Sequence, residues 1–291
     1  MSQQINIVPF VPPIKQGDCL AIHSERASRF MKHFHCHEAY ELHLIKGAAG
    51  VKRIVGDTMN TIGDLDLVLL AKPHLPHVWQ RGACKSKDYL VLQVYFVPEL
   101  FEGIASKTCF EAIRYMLETA SSGLVFSGEM TQRVYQDLMY LAATEDGLQQ
   151  YTLFLNILNR LASDTEAKRI AGPGYVRDDN ALDNKDVAIV KDYIQEHYQE
   201  EIYIKTLADL IGVEQEWLSA SFKSRTGNSV VDYINQVRLG QVVHRLIDTD
   251  APIAQIASEC GFTNLANFNR HFKRSKGITP VAFRHEYRMK I

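Results

Sequence analysis

Gly261 to Arg284 reads G-F-T-N-L-A-N-F-N-R-H-F-K-R-S-K-G-I-T-P-V-A-F-R. Leu265, Phe268 and Phe272 recur at helical spacing, which predicts a helix with an apolar inner face. On its outer face fall Asn264, Asn267, Arg270, Lys273 and Arg274, residue types that reach base edges and phosphates. Gly261 supplies a sharp turn ahead of this helix. Ala257, four residues earlier, lets a preceding helix approach closely. Together they form the pattern of a helix-turn-helix.

The same pattern stands upstream in T-L-A-D-L-I-G-V-E-Q-E-W-L-S-A-S-F-K-S-R-T-G, Thr206 to Gly227. Ala208 precedes Gly212 by four residues, and an F-K pair and a closing Gly follow at almost the distance seen in the later copy, so the segment is an internal duplication. Trp217, Leu218 and Phe222 are expected on the inner face of this copy, and Gln215, Ser219, Lys223 and Arg225 on the outer one. Thr206 is positioned to cap a helix that ends at Gly212. Ser229 is positioned to cap a longer one, from about Val230 to Ile247, with Asp232 at its third turn position. About 18 residues at a rise of about 1.5 Å span about 27 Å, comparable with the roughly 34 Å between successive major grooves on one side of DNA. One chain can therefore address two grooves. Ahead of the duplication, Val187, Val190, Ile194 and His197 mark one face of a first helix. Charge agrees: residues 217–291 carry 11 Lys and Arg against 5 Asp and Glu, whereas residues 1–216 carry 21 against 29. Basic C-terminal segments commonly meet polyanions.

These residues resemble the signature of the AraC/XylS transcription regulators: an I-A-x-x-x-G-F turn, then F-x-x-x-F-K, G-x-[ST]-P and a terminal [YF]-R. With the weaker first copy and D-Y-I-N-Q-V-R-L, the likeness extends over about 100 residues. The resemblance implies base contacts from Asn267 and Arg270, and it implies double-stranded DNA, a small-molecule effector, a second copy of the chain and RNA polymerase as partners. Ala220 stands where that family often has a long polar residue, and Val242 and Arg245 where small and leucine residues are usual. Glu214 and Glu216 near the first recognition helix would repel phosphate.

The first hundred residues have a different texture. Val51 to Val55, Leu65 to Leu70 and Tyr89 to Val97 are short β-branched or aromatic runs separated by glycines, as in a sandwich or barrel. Among them lies F-H-C-H-E-A-Y-E-L-H-L-I-K-G, Phe34 to Gly47. As one strand from Phe34 to Leu44 it would place His35, His37, Ala39, Glu41 and His43 on one face. Burying three imidazoles and a carboxylate is costly unless a metal, a polar ligand or water meets them. With G-D at Gly63 and Asp64, and Pro73 followed by His77, the segment resembles the two cupin motifs. That resemblance implies one divalent transition-metal ion at His35, His37, Glu41 and His77, a ligand set open to Fe, Mn, Ni, Cu or Zn. His43 and His74 would lie behind these ligands or at the surface. A polar effector, a sugar among the candidates, would meet some of these residues together with Trp79, Gln93 and Tyr95. The same cluster permits a second reading, a cupin metalloenzyme such as an oxygenase or isomerase with an appended DNA-binding module. No acid or base pair elsewhere in this region supplies catalytic residues, so the chain is expected not to be an enzyme.

The expected organisation is an α+β chain of two domains. A cupin-like β-barrel with flanking helices occupies residues 1–105. A helical region over 106–162 carries Leu153, Phe154, Ile157, Leu158 and Leu161 on one face, which either pairs subunits or packs on the barrel. A linker without apolar period covers 163–185, and an all-helical domain with two helix-turn-helix motifs joined by a long helix covers 186–291. Five scattered cysteines without a C-x-x-C pair suit a reducing compartment. No apolar run is long enough to span a bilayer. A cytoplasmic protein is expected.

Overall fold

The computed structural model describes residues 8–30, 34–172, 185–226 and 228–288. The chain divides into two units, Ile7–Ala171 and a second that contains Gly172–Ile291. No helix among the described residues is long and apolar enough to cross a membrane.

The first unit is built on two sheets. Strands β1 (Val8–Pro9), β2 (Leu20–Ala27), β3 (His35–Cys36), β4 (Tyr40–Lys46), β5 (Lys52–Val55), β6 (Thr58–Thr61), β7 (Leu65–Leu70), β8 (His77–Gln80) and β9 (Tyr89–Phe96) are followed by the short β10 (Leu124–Val125) and β11 (Lys168–Arg169). One sheet runs β1-β3-β8-β5-β6 and the other β11-β10-β7-β4-β9-β2. Phe34 to Leu44 is thus not one strand. The chain leaves β3 in the first sheet and enters β4 in the second across residues 37–39.

Helices α1 (Glu111–Thr119), α2 (Gly128–Ala143) and α3 (Gly147–Leu161) cover the outer side of the larger sheet. Leu42, Leu44, Leu67, Leu69, Leu92, Val94 and Phe96 point to them as alternate residues of their strands, and they share one core with Val134, Leu138, Phe154 and Leu158. Phe154 lies with its ring centroid 4.9 Å from that of Phe96. The apolar stripe of α3 is therefore spent on packing within the unit. The boundary expected at residue 105 does not separate two bodies, because β10 pairs with β7 and brings the helical region into the sheet. Nor are residues 163–172 linker: β11 pairs with β10, the Ile170 and Ala171 N–H groups donate to Gly123 and Ser122 carbonyls, and the Asp164 carboxylate accepts from the Ser127 N–H ahead of α2. Polar composition concealed a segment held by its backbone. Of the rest of that expected linker, residues 173–184 lie outside the described residues and Lys185 opens the next helix.

The second unit contains α4 (Lys185–His197), α5 (Ile204–Ile211), α6 (Gln215–Thr226), α7 (Val230–Asp248), α8 (Ile253–Glu259), α9 (Leu265–Lys276) and α10 (Pro280–Arg288). Val187, Val190 and Ile194 of α4 join Leu207, Leu218, Phe222 and Tyr233 in one core, and the Phe272 ring packs edge-on against Phe283 5.5 Å away. Helix α5 starts at Ile204 behind Tyr203, so Thr206 sits in its first turn rather than capping it. Ser229 does cap α7. Its Oγ accepts from the Asp232 N–H and donates to the Asp232 carboxylate, so Asp232 returns a bond to the hydroxyl instead of to the backbone. The 19 residues of α7 span about 28 Å. The two unusual residues of this helix have structural partners: Val242 is fully buried, and Arg245 pairs with Glu259 of α8.

Both turns between paired helices use a left-handed glycine, Gly212 at φ +71° and Gly261 at φ +85°. Around Gly212 a Cβ would meet open space, whereas at Gly261 it would come within 2.5 Å of the Tyr198 carbonyl and 2.8 Å of Arg238 Nε, two groups already bonded to each other. Gly212→Ala is expected to lose about 1–2 kcal/mol from backbone strain alone. Gly261→Ala adds a collision to the same strain and is expected to lose more, with both read from urea unfolding followed by helical circular dichroism.

Candidate functional site

Inside the first unit, the elements converge on Glu41. His35 of β3 stands directly opposite His77 of β8, their rings 4.2 Å apart. His37 follows in the crossing segment, and its ring lies 5.0 Å from that of His77. Glu41 enters from β4. All four side chains are buried, Glu41 completely, and one ligand atom from each lies within 4.8 Å of the others. The loop before β8 is tied to this place. The His74 N–H donates to the His37 carbonyl, for which His74 adopts φ +58°, a conformation uncommon for a side chain other than glycine.

The hydrogen bonds settle the tautomers. His37 Nδ1 lies 2.7 Å from the Ala39 carbonyl and His77 Nδ1 2.8 Å from the Leu75 carbonyl. A carbonyl only accepts, so each Nδ1 carries the proton. The Nε2 atoms of the two rings then both face Glu41 Oε2, at 3.0 and 3.1 Å. In the neutral rings those are bare lone pairs aimed at an anionic oxygen, an arrangement that needs a cation or added protons between them. Backbone carbonyls holding the far nitrogens of histidine ligands are a recurrent support of metal sites, and the donor set of imidazoles and one carboxylate suits a divalent transition metal. The other carboxylate oxygen is occupied: Glu41 Oε1 lies 2.7 Å from His43 Nδ1 and accepts from Gln93 Nε2 at 2.8 Å. Desolvation would raise the Glu41 pKa, but the close approach of His37, His43 and His77, with added protons or a cation between them and the carboxylate, outweighs it and holds the carboxyl well below its ordinary range.

Of the other residues expected here, Tyr95 packs edge-on against His37 at 5.5 Å, and its hydroxyl is pushed above the ordinary range by burial and then by Glu41. Trp79 is buried and stacks on His43 at 3.8 Å, so that face of the indole is covered rather than open to a sugar ring. His43, expected behind the ligands or at the surface, is buried and holds Glu41. Its parity with Glu41 on β4 was the available signal. Phe10 was missed altogether. Its ring lies 5.7 Å from His35 and 5.9 Å from Tyr95, and nothing in its local sequence announces that contact.

In the second unit, α6 and α9 each follow a shorter helix and a glycine turn. Phe268 and Phe272 of α9, and Leu218 and Phe222 of α6, are fully or almost fully buried. Leu265 and Trp217, expected beside them, are 45% and 46% exposed: Leu265 is the first residue of α9, and Trp217 stands at the position that Asn267 holds on the outer strip of α9. The outer strip of α9 carries Asn267, Arg270, Lys273 and Arg274, all exposed. Arg270 Nη2 donates to Asn267 Oδ1 at 2.7 Å. Burial first, then Arg274 and Arg270, hold the His271 pKa below its ordinary value, and Arg274 Nη2 lies 3.2 Å from His271 Nδ1. Asn264 is otherwise engaged, since its Oδ1 accepts from the Asn267 N–H as the N-cap of α9. On α6, Gln215 and Lys223 are exposed and Ser219 is half-buried. The side chain of Arg225 lies outside the described residues.

Residues 207–286 match the family described as "Helix-turn-helix domain". The chain is 25% identical over 128 residues to the "Probable transcriptional regulator LumQ" of Photobacterium leiognathi, covering 44% of this chain and 52% of that one. It is 27% identical over 154 residues to the "HTH-type transcriptional activator RhaS" of Pectobacterium atrosepticum, covering 48% and 55%. It therefore spans about half the length of these curated relatives. Among solved structures, a probable AraC family transcriptional regulator from Rhodopseudomonas palustris is 27% identical and covers 36% of this chain and 99% of its own, with a TM-score of 0.35.

Because Asn264 caps α9, Asn264→Ala should destabilise the second unit by about 1 kcal/mol. Asn264→Ser, which also caps, should restore most of that loss in thermal unfolding.

Proposed function

From a chain whose residues 207–286 form an AraC-type helix-turn-helix domain, we propose a sequence-specific DNA-binding transcription regulator whose first unit senses a small ligand at the histidine site. The observation that carries the reading is the pairing of two glycine-turned helix pairs, the second with Asn267, Arg270, Lys273 and Arg274 on one exposed strip. Asn267 and Arg270 would meet base edges, whereas Lys273, Arg274 and, on α6, Lys223 would meet phosphates. The last turn of α9 also suits basic groups on helix-dipole grounds, and salt dependence separates the two roles. Lys273→Ala should reduce the slope of log affinity against log salt by about one and leave base preference unchanged.

The first unit is read as a cupin-like barrel. The inward-facing lone pairs of His37 and His77 beside Glu41 support a divalent transition-metal ion held by His35, His37, Glu41 and His77. Such an ion would supply positive charge and open coordination positions to a small polar effector. Gln93 and His43 would fix Glu41, while Tyr95 and Trp79 would wall the site. Packing around the cluster leaves an ion better supported than a sugar stacked on Trp79. A ligand that favours one arrangement of the first unit shifts DNA affinity only by its difference in affinity between arrangements. Two copies of the chain on one operator, in contact with RNA polymerase, would complete the regulator, and mass photometry on DNA would count the copies.

The same cluster also favours a second reading, a metalloenzyme of oxygenase or isomerase type joined to the DNA-binding unit. Elemental analysis of the purified full chain is expected to find about one equivalent of transition metal, lost in His37→Ala and in Glu41→Gln. Under the regulator reading, metal removal changes operator affinity and no turnover accompanies it. Absence of any specific operator, with or without metal, would sink that reading.

A further inference from the structure

The second helices of the two pairs correspond position by position in sequence, one residue out of step with the Ala and Gly that precede them. Helix α6 begins at Gln215 and α9 fifty residues later at Leu265. At that offset buried residues meet buried ones, Leu218 with Phe268 and Phe222 with Phe272, and exposed meet exposed: Glu216 with Ala266, Trp217 with Asn267, Ala220 with Arg270, and Lys223 with Lys273. The places that carry Asn267 and Arg270 in the second copy thus carry Trp217 and Ala220 in the first, with Glu216 beside them.

These two strips are chemically opposed. In α9 the Arg270 bond to Asn267 Oδ1 engages one of that oxygen's two lone pairs, and the remaining guanidinium and amide N–H groups make the pair rich in donors. A donor-rich pair with an arginine suits guanine, which presents only acceptors, N7 and O6, to the major groove. Helix α6 presents an indole 46% exposed, a methyl group and an acceptor-only carboxylate. Apolar groups take the C5-methyl of thymine, and a carboxylate accepts from an amino group such as cytosine N4. Any edge without such a group would leave Glu216 desolvated and unpaired. Core packing does not explain the indole either, because Leu218 and Phe222 already fill the inner face.

We propose that α6 reads thymine through its methyl group against Trp217 and Ala220, with Glu216 set to accept from an exposed base amino group, cytosine N4 or adenine N6, while α9 reads guanine. One chain would then address two chemically different elements, one in each groove. The inference rests on the second unit being DNA-binding.

Selection of sites from random duplexes by the full chain provides the probe. Each thymine in the element facing α6 is then replaced by deoxyuridine, which deletes only the methyl group. One such replacement is expected to weaken the wild-type protein about fourfold, the worth of one buried methyl group, and to leave Trp217→Ala unaffected. Asn267→Ala should relax only the guanine element. Because Trp217 is half-exposed, its variant should keep the wild-type thermal transition. If wild-type and Trp217→Ala respond alike to deoxyuridine, the inference is overturned while DNA recognition stands, and the exposed indole is then a face for a protein partner. If no duplex is enriched above background, the DNA-binding reading itself fails, and this one with it.

Discussion

A carboxylate without solvent has to be answered by its neighbours, and the first unit is arranged around that demand. Glu41 is fully buried, and an isolated ionised carboxyl in such a place would be strongly unfavourable. Its two oxygens are answered differently. Oε1 is satisfied by His43 and Gln93 from its own sheet, whereas Oε2 faces imidazoles reached from the crossing segment and from β8 of the other sheet. The chain must change sheets between His35 and Glu41 for this to happen. The strand break, the tight loop through His74 and the backbone carbonyls that fix His37 and His77 are all consequences of bringing those groups to one point.

The second unit follows a different rule, repetition with altered surfaces. The buried positions of the two helix pairs agree in type and spacing, so each forms the same hairpin. Their outer positions do not agree, because nothing in the packing constrains them. Gly261 shows how far the copies have also diverged inside: it abuts the Tyr198 carbonyl and Arg238, whereas Gly212 has no such neighbours and serves only the turn.

Much of this was readable in advance where a local rule decides. Periodicity places Leu218, Phe222, Phe268 and Phe272 inside, the turn glycines stand where left-handed backbone is required, and Ser229 caps its helix. What escaped had non-local causes. Period-two alternation over Phe34 to Leu44 groups the correct side chains but cannot reveal that the backbone passes between sheets. Trp217 and Leu265 have the composition of core residues but stand off the buried face of their helices, and position prevails. Residues 163–172 are polar in sequence, yet their pairing is made by main-chain groups that composition does not report. Asn264 belongs to a type that both caps helices and reads bases, and only the bond to the Asn267 N–H distinguishes the roles.

The chain has two tryptophans, and the architecture has put one at each place of interest. Trp79 is sealed against His43 within the histidine site, and Trp217 stands in solvent at the start of α6. A buried indole emits at shorter wavelength than one exposed to water, so the two units carry separable optical labels without any added dye. Binding events in the interior and on the helix surface can be followed in one intact molecule, each by its own band.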